Sequence, residues 1–471
     1  TATFSYMTQE NPLFQSEHRL NASHSEFRTN GSFTRNRDGE FRWHIFNDDV
    51  IELGEHVRTT IYLERASDKT YLQKYGFYGD QPYLDSGAKI EMFGESGYAV
   101  ADAHIFQELR SNQTLVPVPG GDILPNVRGI YQTKPIFHET YLLLNADILG
   151  ISGDTFASQR VIGASRIVSP WTIWGGNRIT ASLSARYDIY NFDNTEMIDH
   201  SNYSGLKSRF LPSGYLEWSL PMMKGGGAWR QIIEPRARLT VMQSLDNAAF
   251  ASNNDSSGAL LSDATLFSNN RFPGLDLWEN GTFADYGARW AAFDGAGHNV
   301  EVFLGQSYDF IERPDTDPNS GFHNGASDYV GRIKYESNKL LSLGTRFRLS
   351  ENNLSLRHME TAAKIGTFRN YLNFGHIWAA QFIDAETQGD DINELNAGLN
   401  IYLTERVGLK FNAIYNITDK NFQRHSGGIF YNHPCYFLLL EYRRDNAQKE
   451  DYVGNTTFQF RFGMNINGIM Q

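Results

Sequence analysis

From Thr457 to Ile466 the chain alternates residue by residue. Phe458, Phe460, Phe462, Met464 and Ile466 take one set of positions, and Thr457, Gln459, Arg461, Gly463 and Asn465 take the other. A period of two describes a strand with one apolar and one polar face. The same dyad sets Ile179, Ala181, Leu183, Ala185, Tyr187 and Ile189 against Arg178, Thr180, Ser182, Ser184, Arg186 and Asp188. It returns at Leu395, Ala397, Leu399, Ile401 and Leu403, and at Val407, Leu409, Phe411, Ala413 and Tyr415. These segments reach about ten residues or more, against about 5–6 for a typical strand of a soluble protein. Five apolar residues on one face of a strand tilted by about 40° cover roughly the 25 Å apolar band of a membrane barrel. The pattern therefore predicts an all-β protein, a transmembrane antiparallel β-barrel.

Followed along the chain, the dyad predicts about 24 strands. They fall near 1–9, 12–22, 25–35, 40–50, 54–66, 83–94, 98–110, 122–133, 136–150, 157–169, 176–192 and 207–222. The second half places them near 228–244, 280–293, 298–310, 327–337, 340–350, 353–362, 367–380, 391–403, 405–417, 422–432, 435–444 and 454–466. Connections alternate in length. Those at 67–82, 111–121, 193–206, 245–279, 311–326, 381–390 and 445–453 are long and rich in Asn, Asp, Ser and Gly. Between them lie short turns such as Glu95–Gly97, Met223–Gly227, Ser337–Lys339 and Asn432–Pro434. This predicts long extracellular loops on one rim and short periplasmic turns on the other, with both termini periplasmic. About 24 strands close to a circumference of roughly 150 Å and a diameter of roughly 48 Å. A lumen that wide needs a plug. The loop from Leu245 to Glu279 carries Phe250, Leu260, Leu261, Leu266, Phe267, Phe272 and Leu275, which predicts a folded segment over or inside the lumen.

Composition agrees once the two faces are separated. The 471 residues include 42 Lys plus Arg and 54 Asp plus Glu, a net charge of −12, which disfavours a nucleic-acid binder. A mean hydropathy of −0.45 beside 14% aromatics is the average of a lipid-facing and a water-facing row. No run approaches the 18 or so apolar residues of a membrane helix. The single Cys435 excludes a disulfide within the chain and a cysteine-based zinc cluster. Thr1 follows no secretory leader, so a mature form or a fragment is expected. Gly225-Gly226-Gly227 lacks the Lys-Ser/Thr of a phosphate loop, and the 13 His show no metal-ligand spacing. Neither a catalytic set nor a cofactor or metal site can be picked out, and a non-enzymatic protein is expected. By alternation Arg178, Arg186, Arg236, Arg238, Arg346, Arg348, Lys410 and Arg461 face the lumen. There they either form ion-pair networks, with Glu234, Glu301 and Asp309 among the partners, or meet phosphate through the guanidinium fork.

Asp263-Ala-Thr-Leu-Phe-Ser-Asn-Asn-Arg271-Phe272-Pro-Gly274-Leu-Asp276, followed by Glu279, Gly281 and Tyr286-Gly287, resembles the signature of the lipopolysaccharide-assembly (LPS-transport) proteins of the outer membrane, the LptD family. Ile233-Glu234-Pro235-Arg236-Ala237-Arg238 is similar to that family's Glu-Pro-Arg-Ala element, Asn254-Asp255-Ser256 to its acidic loop, and Ser67-Asp68-Lys-Thr-Tyr71 to its Ser-Asp-x-x-Tyr motif. The likeness extends along nearly the whole chain. It implies the C-terminal barrel of an outer-membrane translocon of a Gram-negative bacterium, which inserts lipopolysaccharide into the outer leaflet. Sugars would cross the lumen, and acyl chains would leave through a lateral gate between the first and last strands. The gate strand would be Thr456, Thr457, Phe458, Gln459, Phe460, Arg461 and Phe462. A lipoprotein plug of the LptE type would sit inside the barrel against Asp255, Phe267, Arg271, Phe272, Gly274 and Asp276.

The family barrel has 26 strands and follows a periplasmic jelly-roll domain that meets the lipopolysaccharide bridge protein, so that domain and the first one or two strands are expected before Thr1. The family carries an adjacent cysteine pair here, bonded to the jelly-roll. This chain has only Cys435, in His433-Pro434-Cys435-Tyr436 at the periplasmic rim, so a disulfide would need a partner outside the chain. A large diffusion channel or nutrient receptor is the alternative within the same membrane, and a soluble carbohydrate-active β protein is the alternative outside it.

Overall fold

The computed structural model describes residues 2–7, 10–77, 83–109, 121–198, 200–243, 245, 247, 250, 252, 255–256, 260–311, 320–338, 340–380, 391–446 and 456–464. They form one antiparallel sheet of 25 segments. The first twelve are β1 (Ala2–Met7), β2 (Glu10–Ala22), β3 (Ser25–Arg35), β4 (Phe41–Glu52), β5 (Val57–Ala66), β6 (Tyr83–Phe93), β7 (Gly97–Glu108), β8 (Asp122–Gln132), β9 (Tyr141–Ser152), β10 (Ala157–Ile173), β11 (Asn177–Glu196) and β12 (Asn202–Ser219). After a break at Leu220 and Pro221, β13 (Met222–Lys224) continues β12, and both pair with β14 (Trp229–Met242). The remainder are β15 (Gly281–Asp294), β16 (His298–Asp309), β17 (Tyr329–Ser337), β18 (Leu341–Leu349), β19 (Leu356–Gly366), β20 (Tyr371–Ala379), β21 (Ile392–Tyr402), β22 (Val407–Asn416), β23 (Asn421–His433), β24 (Tyr436–Asp445) and β25 (Thr456–Met464).

Each stave pairs with the next, and β1 pairs with β25, from Ala2 opposite Met464 to Met7 opposite Gln459. Counting β12 and β13 as one stave, this is a closed barrel of 24 strands. Closure leaves no edge, so every strand finds ladder partners on both sides.

The alternation sorts the side chains as the sequence predicts. On β11, Leu183 is 71% exposed while its neighbours Ser182 and Arg186 are buried. On β25, Phe458 and Phe460 stand on the exposed face. The apolar row is the outer surface and the polar row lines the lumen. Arg178, Arg186, Arg236, Arg238, Arg346 and Arg348 all lie on the inner row.

Two connections depart from expectation. The segment 193–206 is not one long loop: β11 runs to Glu196 and β12 begins at Asn202. Tyr190 and Phe192 still point inward and are buried, while Asn191 and Asp193 point outward. These staves therefore rise beyond the apolar band, where the outward row turns polar and reads as loop. The ninth strand begins at Tyr141 rather than 136, after a connection on the short-turn rim. There the ring of His138 meets Phe137 edge-on and lies tilted against Trp171, and Ile136, Phe137 and Trp174 are exposed. Aromatic residues at this height form part of an interfacial girdle.

Leu183→Arg should cost about 2–4 kcal/mol of folding free energy if Leu183 lies near the bilayer midplane, and Ser184→Arg, facing water, far less. Urea-driven unfolding in lipid vesicles measures both, and equal costs would contradict the assignment of faces.

Candidate functional site

The connection between β14 and β15 folds back onto the inner row of the wall and is held there by arginines. Arg160 on β10 donates to Asp147 of the neighbouring stave at 2.8 Å, to Asp255 at 2.8 Å and to Asp276 at 2.7 Å. Arg209 on β12 donates to Asp188 at 2.7 Å, to the Tyr190 hydroxyl and to the Asp276 carbonyl. Arg186 forks onto Asp188, reaches the Leu275 carbonyl and lies under the Trp278 ring. Further round, Arg238 donates to Asn269 at 3.3 Å, and Asp263 accepts from Arg332 and lies 3.3 Å from Arg346. Arg236 stacks 4.1 Å over the Phe267 ring. The loop thus spans the inner wall from β10 to β18.

Its centre is Arg271, which is 2% exposed. The guanidinium lies between the rings of Phe283 and Phe322, with Nε 2.6 Å from Glu279 Oε1 and Nη1 bonded to Asp285 and Ser307. Two turns of backbone meet at Gly274, whose φ of +83° is left-handed and where a Cβ would collide with the Asp255 carbonyl. Asp255 in turn accepts the N–H groups of Leu275 and Asp276. Burial alone would raise its carboxyl pKa, but Arg160 and those two donors bring it below the usual range.

A second insertion enters from the connection after β5. The short helix α1 (Tyr71–Tyr75) packs Tyr71, Leu72 and Tyr75 against Leu13, Phe46, Ala66 and Leu84. Arg42 on β4 fixes its root through a bidentate pair with Asp68 and a bond to Thr70, and its guanidinium lies over Tyr71 and Tyr75. The Tyr71 hydroxyl continues the chain to Ser32, which bonds His44. Burial opposes ionisation of Asp68, but the Arg42 fork, Ser67 and the Thr70 N–H outweigh it and lower its pKa to about 2.

Of the six loop positions singled out from sequence, Asp255, Arg271 and Asp276 are consumed in holding the loop to the wall. Phe267 covers Arg236, Phe272 is half-buried and Gly274 is exposed. Of the six lumen arginines, Arg186, Arg236, Arg238, Arg346 and Arg348 have acidic neighbours. The expected partners Glu234 and Glu301 serve Arg289 and Arg332 instead, and Arg236 and Arg238 share Glu217. Lys410 faces Glu441 at 2.8 Å. On β25, Gln459 and Arg461 lie on the inner row and bond each other at 2.7 Å. Cys435 is exposed in the two-residue turn between β23 and β24, on the short-turn rim. The stakes Arg160, Arg209 and Glu217 were not singled out, although their place in the dyad beside Val161, Phe210 and Trp218 already put them on the inner row.

The family model for LPS transport system D, LptD, matches residues 40–406, which take in both insertions and most of the staves that hold them. The chain belongs to the LptD family. Membership associates it with lipopolysaccharide transport and with the outer membrane of Gram-negative bacteria. Among curated proteins no sequence match is found.

Solved structures with similar outlines include the siderophore receptor PirA from Pseudomonas aeruginosa (8% identity, TM-score 0.38, covering 98% of this chain and 79% of that one). Others are the ferric-catecholate import receptor Fiu from E. coli (10%, 0.37, 98% and 80%) and the FrpB iron transporter from Neisseria meningitidis (7%, 0.38, 98% and 80%). At these scores the likeness carries no argument about function.

Two outcomes follow for this LptD-family barrel. Arg271→Met strands Glu279 and Asp285 without their cation, and should cost about 3–5 kcal/mol, recovered in part by adding Glu279→Gln and Asp285→Asn. Urea unfolding in vesicles measures it; no loss in the single variant would show that Arg271 does not hold the loop. Asp68 has a folded pKa below its unfolded value near 3.9, so its contribution is full above about pH 4 and fades as pH falls towards 2. Proteolytic protection around residues 67–77, read with an acid-active protease, should fall across that window and be already reduced at pH 6 in Asp68→Asn.

Proposed function

We propose that this barrel inserts lipopolysaccharide into the outer leaflet, passing the sugars through its lumen and releasing the acyl chains sideways between β1 and β25. The observation that carries this reading is the division of faces within a closed wall of an LptD-family chain. An amphiphile with a large charged saccharide and several acyl chains needs a wet inner path and a dry exit. The inner wall of β17 to β21 offers the first: a hollow of about 620 Å³ lined by Lys334, Arg346, Glu360, Lys364, Asn373 and Asn396. The outer face offers the second, with Phe4 on β1 opposite Phe462 on β25 and with Phe458 and Phe460 beyond. A closed ladder has no opening, so a sideways exit needs one seam to part. Among the described residues the ladder of this seam runs from Ala2 opposite Met464 to Met7 opposite Gln459.

In this reading the long-loop rim is extracellular and the short-turn rim, with both termini and Cys435, is periplasmic. A jelly-roll domain precedes Thr1. It takes lipopolysaccharide from a periplasmic bridge and supplies the disulfide partner of Cys435. A lipoprotein plug of the LptE type occupies lumen left open beside the staked loop, touching Phe272 and Gly274, and arginines such as Arg178 and Arg346 meet the substrate's phosphates.

Ser5 and Arg461 are register partners across the seam. In the full-length protein with Cys435→Ser, the pair Ser5→Cys and Arg461→Cys should form a disulfide that stops delivery of lipopolysaccharide to the cell surface, with delivery restored by reductant. A quantitatively formed bond that leaves surface lipopolysaccharide unchanged would refute the lateral exit.

A further inference from the structure

The connection between β16 and β17 and the turn between β18 and β19 meet at the long-loop rim, beside the staked loop. His323 comes from the first, Asp328 stands at the foot of β17, and Glu351 comes from the second. Glu351 reaches the other two because β17 and β18 pair from Tyr329 opposite Leu349. The set is non-local, so the spacing of histidines along the chain does not announce it.

A single ring nitrogen, Nε2 of His323, lies 3.1 Å from Oδ1 of Asp328 and 3.4 Å from Oε2 of Glu351. One donor atom from each of the three residues falls within 4.8 Å of the others. Donors bound about 2.0–2.2 Å from one divalent cation stand roughly 3.0–3.5 Å apart, so both separations suit a shared ion. The remaining oxygens are held from outside. Oδ2 of Asp328 faces Nε of Arg348 at 3.3 Å, and Oε1 of Glu351 accepts from the Asn352 side chain, while Ser350 donates to Oε2 at 3.3 Å. Outer partners of this kind orient the ligands of metal sites.

The electrostatics point the same way. Asp328 is 3% exposed, and burial first, then the facing Glu351, push its carboxyl above the ordinary range. Arg348 offsets one of the two negative charges and leaves the other. A proton on Nε2 points at one of the two oxygens facing it, whereas a cation takes both together with the nitrogen lone pair.

We infer that His323, Asp328 and Glu351 form a binding site for one divalent cation of the zinc type. The donor set selects the class: imidazole suits zinc and the first-row transition cations, and two carboxylates fall short of the six to eight oxygens that calcium takes. His323 follows Phe322, whose ring lies 4.5 Å from the Arg271 guanidinium and packs with Leu261, Leu266 and Val330. The Ser320 carbonyl accepts the N–H of Leu261 at the same junction. A cation on His323 therefore ties this connection, and through it the staked loop, to the ends of β17 and β18. The site stands independently of the lipopolysaccharide reading.

The test uses the full-length, plug-bound protein in lipid nanodiscs, stripped with a chelator and titrated with Zn2+ alone at neutral pH, with bound metal counted by equilibrium dialysis. His323→Ala and Glu351→Gln should each weaken one equivalent of uptake by at least about tenfold. His200→Ala, an exposed histidine in the β11–β12 connection, should leave that equivalent unchanged. Heat-modifiable gel mobility confirms that each variant barrel is folded. X-ray absorption at the zinc edge should show nitrogen and oxygen donors at about 2.0–2.2 Å for the equivalent that the variants lose. Zinc should also slow amide hydrogen exchange across residues 320–328 at least about tenfold in the parent and not in His323→Ala. Equal zinc uptake by the parent and both folded variants would overturn the site. No uptake by the parent would do the same and leave the cluster as an imidazolium between two carboxylates. Calcium bound as tightly as zinc would overturn the assigned class of cation.

Discussion

A bilayer offers no partner to a peptide N–H or C=O, and each one left unpaired in the hydrocarbon costs several kcal/mol. The closed ladder that this requires governs everything else in the molecule. Because β1 must pair with β25, the wall has no edge, and strand number fixes the width of the lumen. Because neighbouring staves stay paired, the side chains have only two places to go. The dyad of apolar and polar residues is the consequence at the level of sequence. The insertions, the ion pairs and the seam are responses to the large wet interior that a wall of 24 strands encloses.

The same constraint makes any opening costly, and it explains why the seam is the place to look for one. Each staved junction is a run of hydrogen bonds formed once and not exchanged for others in lipid. Parting β10 from β11 would break a ladder running from Ala157 to Ile173, whereas among the described residues the β1–β25 ladder runs from Ala2 to Met7. A short ladder reduces the barrier but also reduces the security of closure.

Most of the wall was legible from the dyad, because burial on one face and lipid on the other leaves a residue-by-residue record. Ser25–Arg35 falls where alternation places it, and the other ends shift by a few residues. The record fails where its physical cause stops. Above the lipid band the outward row of β11 becomes Asn191 and Asp193, so an extended strand reads as loop. The lumen side is less legible. Alternation puts Arg186 and Arg238 on the inner row, but nothing in their spacing says which acid they meet, and Glu217 serves Arg236 and Arg238 from a separate strand. The helix α1 is too short for a helical period to register, and its seat is built from four separate strands. The resemblance to family motifs flagged Asp68, Tyr71, Asp255, Arg271 and Gly274. It could not say that Asp255 and Arg271 are spent on the wall.

Buried ion pairs fasten the long insertion alongside two apolar clusters, Leu261 and Leu266 against Phe322 and Val330 and Trp278 against Leu211, Met242 and Phe283, and the strand pattern gives a reason for the charge. Strands that seated the insertion through an apolar inner row would be apolar on both faces, and a slip of one residue in register would then carry no penalty. With arginine and aspartate inside, the same slip would put Arg160, Arg186 or Arg209 into lipid, at about 2–4 kcal/mol for each near the midplane. Buried ion pairs add little net stability over well-packed apolar residues. Their value here lies in specificity: Arg160, Arg209 and Arg271 accept one arrangement of Asp255, Asp276 and Glu279, and that arrangement is possible only when β9 to β16 are in their native register. The network that folds the insertion into the lumen therefore also checks the wall that surrounds it.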